Sequence, residues 1–285
     1  MIADGNTNMV YFSGLLKSDV KFASTCREIT HFLDVYKINY GFLEGTKDIW
    51  ARDYMSIQVT EKIFIEYRYD PNYLQGSEKG RRDLKSYPDI ICDILKLKTQ
   101  KTDIILDGGN IVKSSNCVIL TDKVLTENKQ TYNRTRLIAE LKNLFEVDKV
   151  VIIPRDPSDE YGHADGILRF INNNTVLVNE YFDYYKSDFQ KHFFGAFKSN
   201  RIDVEKLVFK VAKKDKRNWA YINFLQLKDL IIIPKFGIDE DEQALHQFNN
   251  FFPDYAAQGR IISIDATQLV KKSGALNCIS WNIKT

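Results

Sequence analysis

Four short polar clusters lie in apolar surroundings, and the first of them suits a flat cation. Residues 48–55 bring Trp50, Arg52 and Asp53 close together. A planar cation can stack on the indole ring while the carboxylate accepts its N–H groups. The same residues also fit an ordinary structural Arg–Asp pair beside a partly buried tryptophan. Taken alone, this cluster leaves both interpretations open.

The second cluster, residues 106–110, reads Leu-Asp-Gly-Gly-Asn and closes an apolar run. Adjacent glycines allow the backbone to approach a ligand closely, or they simply form a turn with positive φ. Asp-Gly is a common turn dipeptide, so the turn is favoured when this segment is taken alone.

The third cluster, Gly-His-Ala-Asp-Gly at 162–166, precedes a predicted strand. In an extended chain, residues two apart point to the same side, which predicts that His163 and Asp165 face one site. A histidine with a neighbouring carboxylate can act as general acid and base. A structural histidine with its hydrogen bonds satisfied is the alternative.

The fourth cluster, residues 272–281, places Cys278 after a glycine-containing turn, at the predicted start of the last strand. Such a cysteine can be a nucleophile or a small apolar core residue. Cys26, Cys92 and Cys117 are scattered, without the C-x-x-C or Cys/His spacing of a zinc site, so no metal is expected. Cys26 and Cys92 fall in helix-like patterns, which favours reduced, buried thiols.

Short apolar or alternating runs alternate with helical patterns along the chain, which indicates an α/β fold. Strands are predicted at 10–13, 62–69, 103–106, 110–113, 117–120, 150–153, 167–171, 175–179, 204–211, 221–225, 230–234, 261–264 and 278–283. Helices are predicted at 19–36, 87–97, 131–145, 186–197 and 240–250.

The bulk composition limits the class of protein. The chain has 285 residues, 44% of them hydrophobic, and no linker-like stretch, so a single domain spanning residues 1–285 is expected. A formal charge of +2 argues against a dedicated nucleic-acid binder. No run reaches the length of a membrane span and no signal-peptide pattern opens the sequence, so a cytoplasmic protein without a membrane partner is expected.

In this order and spacing, the motifs resemble those of the agmatine deiminase and bacterial-type peptidylarginine deiminase family. That family belongs to the guanidine-modifying superfamily. The resemblance runs almost end to end, through residues 7–13, 50–53, 106–110, 162–165, 221–224 and 277–280. It implies the pentein fold, a five-bladed pseudo-symmetric α/β-propeller.

The resemblance also implies roles for individual residues. Cys278 becomes the nucleophile, His163 the acid and base, Asp53 and Asp165 the guanidinium-binding carboxylates, and Asn223 a polar residue of the catalytic centre. Trp50 and Arg52 would join Asp53 and Asp165 in binding substrate, with Asp107, Gly109 and Asn110 supporting the site from behind. The implied activity is hydrolytic conversion of agmatine or an arginine-like guanidinium, small or within a larger molecule, to a ureido product, without cofactor or metal. A role in putrescine biosynthesis and a homodimer are further expectations.

Several departures from the family pattern concern residues that face the substrate. Asn277 stands where histidine is usual, and 272–274 and 55–56 replace glycine-rich and Gly-Pro segments. The Trp-Gly motif of agmatine-type pockets is not evident after Tyr69. Hydrolase chemistry is therefore better supported than agmatine itself as substrate. The alternatives are an amidinotransferase, a catalytically idle guanidine- or partner-binding relative and a general thiol hydrolase, of which the paired acids disfavour the last.

Overall fold

The strands form five small sheets. The computed structural model describes residues 1–75 and 82–285, and within them each sheet has three strands. The strands are β1 (Met9–Ser13), β2 (Asn39–Leu43), β3 (Ile57–Gln58), β4 (Phe64–Arg68), β5 (Thr99–Ile105), β6 (Val112–Lys113), β7 (Cys117–Thr121), β8 (Lys149–Ile153), β9 (Leu168–Phe170), β10 (Thr175–Asn179), β11 (Asp203–Leu207), β12 (Leu225–Leu227), β13 (Leu230–Lys235), β14 (Ile261–Asp265) and β15 (Ser280–Ile283).

One pattern of pairing repeats in every sheet. The orders are β15-β1-β2, β3-β4-β5, β6-β7-β8, β9-β10-β11 and β12-β13-β14. In each sheet the first pair is antiparallel and the second is parallel. The first sheet takes its antiparallel strand from the other end of the described chain. Five such units confirm the expected five-bladed α/β-propeller.

Helices occur in the crossovers that join parallel strands and in two connections between sheets, because parallel pairing requires a long connection. They are α1 (Gly14–Ser18), α2 (Ala23–Val35), α3 (Ala51–Tyr54), α4 (Pro88–Ile94), α5 (Lys123–Asn128), α6 (Arg134–Phe145), α7 (Ser187–Ser199), α8 (Glu240–Phe251), α9 (Pro253–Ala256) and α10 (Thr267–Val270). Within the described residues, no helix has the length and apolar character needed to cross a membrane.

Most predicted elements are present, with ends shifted by a few residues. The clearest error is the strand predicted at 221–225, where the chain instead forms a 3-10 helix, Asn218–Ile222, followed by β12. Tyr221, Ile222 and Phe224 are all fully buried. Their apolar run therefore reflects burial on every side and not the alternation of a half-exposed strand.

The core is built from buried central strands under amphipathic helices. All five residues of β7 are buried, as are the first five of β13, which is usual for strands covered on both faces. Cys26 and Cys92 lie on helices and are buried and free, as predicted, and Cys117 is a free cysteine in β7.

A cluster of buried charge surrounds Asp4, which lies in a short 3-10 helix near the start of the chain. Asp4 lies 2.9 Å from the Lys113 ammonium, 2.7 Å from the Arg169 guanidinium and 3.8 Å from that of Arg52. Burial opposes ionisation of the carboxyl, but the three cations outweigh it and lower the pKa of Asp4. The cluster joins the N-terminal segment to β6, β9 and α3. No motif in the sequence predicts this cluster.

Candidate active site

The candidate site is assembled from the five connections between neighbouring sheets. Each connection follows the last strand of one sheet, at the C-terminal end of a parallel strand, where open α/β sheets commonly bind ligands. Along the chain, the connections supply Asp53, Asp107, His163 with Asp165, Asn223 and Cys278. Repetition of one structural unit thus places four distant segments around one cavity, while Asp107 of the fifth contacts His163.

Cys278 lies in a turn two residues before β15 and not on the strand itself, which differs from the sequence expectation. Its backbone N–H donates to Asn223 Oδ1 at 3.1 Å, and its carbonyl accepts from the Arg52 N–H at 3.0 Å. The Asn277 N–H donates to the Asn223 carbonyl at 3.0 Å, which anchors the residue before Cys278. Asn223 therefore fixes the turn that presents the thiol.

His163 lies between two carboxylates. Its Nε2 is 3.2 Å from Asp107 Oδ2, and its Nδ1 is 3.6 Å from Asp53 Oδ1. This arrangement requires a glycine at 109, because a Cβ there would lie 2.5 Å from Asp53 Oδ1 and 2.6 Å from His163 Nδ1. The second cluster thus serves close approach and is not merely a turn.

Asp165 faces the thiol. Its Oδ2 lies 3.6 Å from Cys278 Sγ and accepts a hydrogen bond from the Asn277 amide at 2.6 Å. Asp165 and His163 both line the cavity, but not through strand alternation. His163 is extended, and Asp165 lies in the 3-10 helix Ala164–Gly166. Asn277, which departs from the family pattern, holds the Asp165 carboxylate in place.

The site has an excess of buried negative charge. Burial raises the pKa of Asp53 to about 8, although His163 opposes the shift. Burial disfavours the protonated His163, yet Asp53 and the hydrogen bond with Asp107 outweigh it and raise the pKa of His163 to about 9. Burial, followed by the charges of Asp165 and Asp53, raises the pKa of the Cys278 thiol well above its usual value. A bound cation would offset the contribution of the two carboxylates to the raised pKa of the Cys278 thiol.

The cavity above Cys278 has a volume of about 670 Å³. Trp50 forms part of its wall and packs against Gly274 so closely that a Cβ at 274 would lie 2.3 Å from the Trp50 ring. Other aromatic residues, among them Tyr69, Tyr161 and Trp219, also line the cavity. These ring faces suit the apolar stem and flat head of a guanidinium compound.

Four expected residues, Arg52, Asp107, Gly109 and Asn110, lie outside this cavity lining. The Arg52 guanidinium donates to Asn282 Oδ1 and to the Asn277 carbonyl and belongs to the cluster around Asp4. It was expected to bind substrate, but its hydrogen bonds direct it into the protein interior. Asn110 is buried, and its Oδ1 accepts from the Thr121 N–H at 2.9 Å, which fixes the end of β7.

Lys123 and Glu127 also belong to the site, although no motif in the sequence predicts them. The buried Lys123 ammonium contacts Asp107 Oδ2 and lies 3.1 Å from Glu127 Oε1. A lysine among Thr, Asp and Val gives no local sign of burial, so only the folded arrangement reveals it. In the described part of the chain, no group of three or more His, Cys, Asp or Glu residues is placed to hold a metal ion.

A family model described as Porphyromonas-type peptidyl-arginine deiminase matches residues 19–283. An Enterococcus faecalis protein that carries a provisional agmatine deiminase name is 24% identical over 229 residues. That match covers 67% of this chain and 60% of the relative, so it spans less than two thirds of the relative's length.

Solved structures share the fold. A cysteine-to-serine variant of C. jejuni agmatine deiminase with substrate bound has a TM-score of 0.76 at 19% identity, covering 100% of this chain and 96% of that one. Agmatine deiminase of Enterococcus faecalis has a TM-score of 0.69 at 19% identity, covering 99% and 94%. DDAH from Pseudomonas aeruginosa, a cysteine-to-serine variant with citrulline, has a TM-score of 0.57 at 13% identity, covering 97% and 99%.

Proposed function

The chain belongs to the Porphyromonas-type peptidyl-arginine deiminase family, and we propose that it hydrolyses a guanidinium group to a ureido group and ammonia. One observation carries this proposal. Asp53 and Asp165 are buried beside the Cys278 thiol, and Asp53 Oδ1 has no hydrogen-bond donor. A buried carboxylate oxygen without a donor is costly unless a ligand supplies one.

A guanidinium supplies both the missing charge and the missing donors. With a pKa of roughly 13, it stays protonated at ordinary pH and carries several N–H groups in one plane. Asp53 and Asp165 would each accept N–H groups and hold the central carbon near Cys278 Sγ. The added positive charge offsets the effect of these two carboxylates on the thiol, which favours the thiolate.

The first chemical step forms a bond between sulfur and carbon. The Cys278 thiolate adds to the guanidinium carbon, and His163 transfers its proton to one amino group. That C–N bond breaks and ammonia leaves. The product is a cationic thiouronium attached to Cys278, with His163 now neutral.

The second step consumes water. Neutral His163 removes one proton as water adds to the thiouronium carbon. The C–S bond then breaks to release the thiolate and the ureido product, and the second proton of the water passes to solvent, where it converts the departed ammonia to ammonium. His163 is protonated again at the end. The balance is one guanidinium and one water converted to one ureido compound and one ammonium ion.

The cavity restricts the remainder of the substrate only in part. Asp48 and Asp159 line it and suit a second cationic end, as in agmatine, whereas Lys216 and Lys272 suit the carboxylate of an arginine-like compound. Burial raises the pKa of Asp48 to about 7, and a cation bound nearby would favour its ionised form. Agmatine and arginine-like compounds therefore both belong in the test.

We expect the protein to release ammonia from at least one of agmatine, free arginine, methylated arginines and arginine-containing peptides. Cys278→Ala should lower turnover at least ~10⁴-fold. The matched control is Cys26→Ala, which removes a buried helical cysteine outside the cavity and should keep wild-type turnover.

Three outcomes would count against the proposal. Wild-type turnover by Cys278→Ala would exclude Cys278 as the nucleophile. Product formation only with an added amine acceptor, without ammonia or ureido compound, would indicate an amidinotransferase. A Cys278 thiol inert to a haloacetamidine, together with no turnover of any guanidine, would indicate a binding protein.

A further inference from the structure

Lys123 is a buried cation that the proposed reaction does not use. It is the first residue of α5, and its side chain is 2% exposed. Its ammonium forms ion pairs with Asp107 and Glu127 and lies 5.0 Å from the centre of the Tyr73 ring. Burial of an ammonium costs several kcal/mol, so these partners must compensate for its lost hydration.

One oxygen links Lys123 to the candidate acid and base. Asp107 Oδ2 contacts the Lys123 ammonium and also lies 3.2 Å from His163 Nε2. The ammonium and the imidazole therefore share a single acceptor oxygen. Each contact draws charge from the carboxylate, so a strong pair with Lys123 weakens the hold of Asp107 on the His163 proton.

We propose that Lys123 is a positioning residue that sets how firmly Asp107 retains the proton of His163. This inference rests on the proposed function, in which His163 first gives up a proton and then takes one. With Asp53 on one side and Asp107 on the other, an unopposed imidazolium would hold its proton too firmly to donate it readily. Lys123 supplies the opposing charge.

Other ionisable groups also surround this network. Asp53 faces the opposite ring nitrogen of His163, at 3.6 Å, and Glu127 shares Lys123 with Asp107. The remaining ionisable neighbours come from several segments and comprise Asp48, Tyr67, Tyr69, Tyr73, Asp159, Tyr161 and Asp165. Of the cations contacting Asp107, Lys123 carries a permanent charge, because its pKa is raised above its usual value despite burial.

Two substitutions should shift the titration of His163 in opposite directions. Lys123→Met removes a positive charge and should raise the imidazole pKa by about one unit, whereas Glu127→Gln removes a negative charge and should lower it. The chain has four histidines, so the His163 resonances can be followed by NMR on the free protein. A residue with a purely structural role would not produce shifts of opposite sign.

The same variants should alter the two half-reactions unequally. At pH values below the pKa of His163, raising that pKa by one unit lowers the neutral fraction of the imidazole about tenfold. Lys123→Met should therefore slow hydrolysis of the thiouronium about tenfold. Intact-mass analysis after acid quenching should then detect the covalent adduct, and the alkaline limb of the rate profile should move to higher pH. Glu127→Gln should move that limb to lower pH.

Lys113→Met is the matched control, because Lys113 is also a buried, ion-paired lysine but pairs with Asp4. It should lower stability without moving the His163 titration. The proposal is overturned if Lys123→Met and Glu127→Gln leave the His163 pKa unchanged or shift it in the same direction. If Lys123→Met does not fold, Glu127→Gln alone decides by the sign of its shift. If wild-type protein released no ammonia from any guanidine, the proposed function would fail, while the NMR titration would still test this inference.

Discussion

The two clusters of buried charge differ in how many cations face each carboxylate. Around Asp4, three cations face one carboxylate, and protein oxygens such as the Ile2 and Phe224 carbonyls accept their remaining N–H groups. Around Cys278, the Asp53 carboxylate faces His163 at 3.6 Å, His163 also pairs with Asp107, and the cluster opens into the cavity. Oδ1 of Asp4 and Oδ1 of Asp53 both lack a hydrogen bond, but the Asp4 oxygen lies 2.9 Å from the Lys113 ammonium. Protein cations thus offset the charge of the first cluster, whereas the acids of the second share His163 and border space for a ligand cation.

The two clusters meet at a single peptide. Arg52 and Asp53 are consecutive residues of α3, yet Arg52 belongs to the cluster around Asp4 and Asp53 to the cavity. The difference teaches that a buried carboxylate indicates a ligand when protein cations do not outnumber it and it borders a cavity. Substitutions in the two clusters should therefore have opposite consequences for stability and activity.

The largest effect is expected from Asp53→Asn. Loss of one of the two carboxylates proposed to bind the guanidinium should lower kcat/KM about 10³-fold. The folded pKa of Asp53 is about 8, above that of an unfolded aspartate, so stability is lost as pH rises from about 4, where the unfolded aspartate ionises, through the folded pKa. At about pH 9 the variant should be more stable than wild type by roughly 1–2 kcal/mol.

Urea unfolding and ammonia release would measure the two effects of Asp53→Asn. Asp203→Asn, at an exposed position in β11, is the control and should change neither quantity. A variant of Asp53 that loses stability and keeps its activity would reverse the assignment of the two clusters.

Asp4→Asn should have the next largest effect, on stability alone. It leaves Arg52, Lys113 and Arg169 without their shared anion, and breaking a buried ion pair typically costs 3–5 kcal/mol. The folded pKa of Asp4 is lowered, so its contribution to stability is present above about pH 4 and is lost as pH falls through the folded pKa.

Urea titration at neutral pH would measure the loss in Asp4→Asn, and the folded fraction should keep wild-type turnover. Asp229→Asn, which breaks an exposed pair with Arg260, is the control and should cost at most ~1 kcal/mol. Equal costs for the two variants would show that the cluster around Asp4 is not held together by its ion pairs.

A smaller effect is expected from Gly109→Ala, which changes geometry and removes no chemical group. The added methyl group must separate Asp53 from His163, and we expect a fall in kcat of about 10–100-fold. Gly195→Ala is the control, because Gly195 lies in α7 with nothing near its missing Cβ and alanine favours the helix. Activity unchanged in Gly109→Ala would show that the close approach is dispensable.

Sequence reasoning predicted the fold class because hydrophobic periodicity is a local property. The buried run in β8 and the amphipathic pattern of α6 are both present within a few residues of their predicted positions. The prediction failed at 221–225, where full burial gives an apolar run without a strand. The ring of five sheets depends on distant pairing, such as β1 with β15, and was accessible only through the family resemblance.

The candidate site was predictable to the extent that motifs carry it. Those motifs led to Cys278, His163, Asp53 and Asp165, which the structure brings around one cavity. Lys123 and Asp4 were missed because a single lysine or aspartate carries no sign of burial in its neighbours. Their environment depends on partners far away in sequence, as in the pair of Asp4 with Arg169.

The pairing of β15 with β1 ties the position of Cys278, the proposed nucleophile, to closure of the ring. Cys278 comes two residues before β15, whose four residues align antiparallel with Met9–Phe12. Until these distant strands meet, the first blade lacks one edge and the thiol has no fixed position relative to His163. Assembly of the propeller therefore also assembles the candidate site, and a partly folded chain has no organised site.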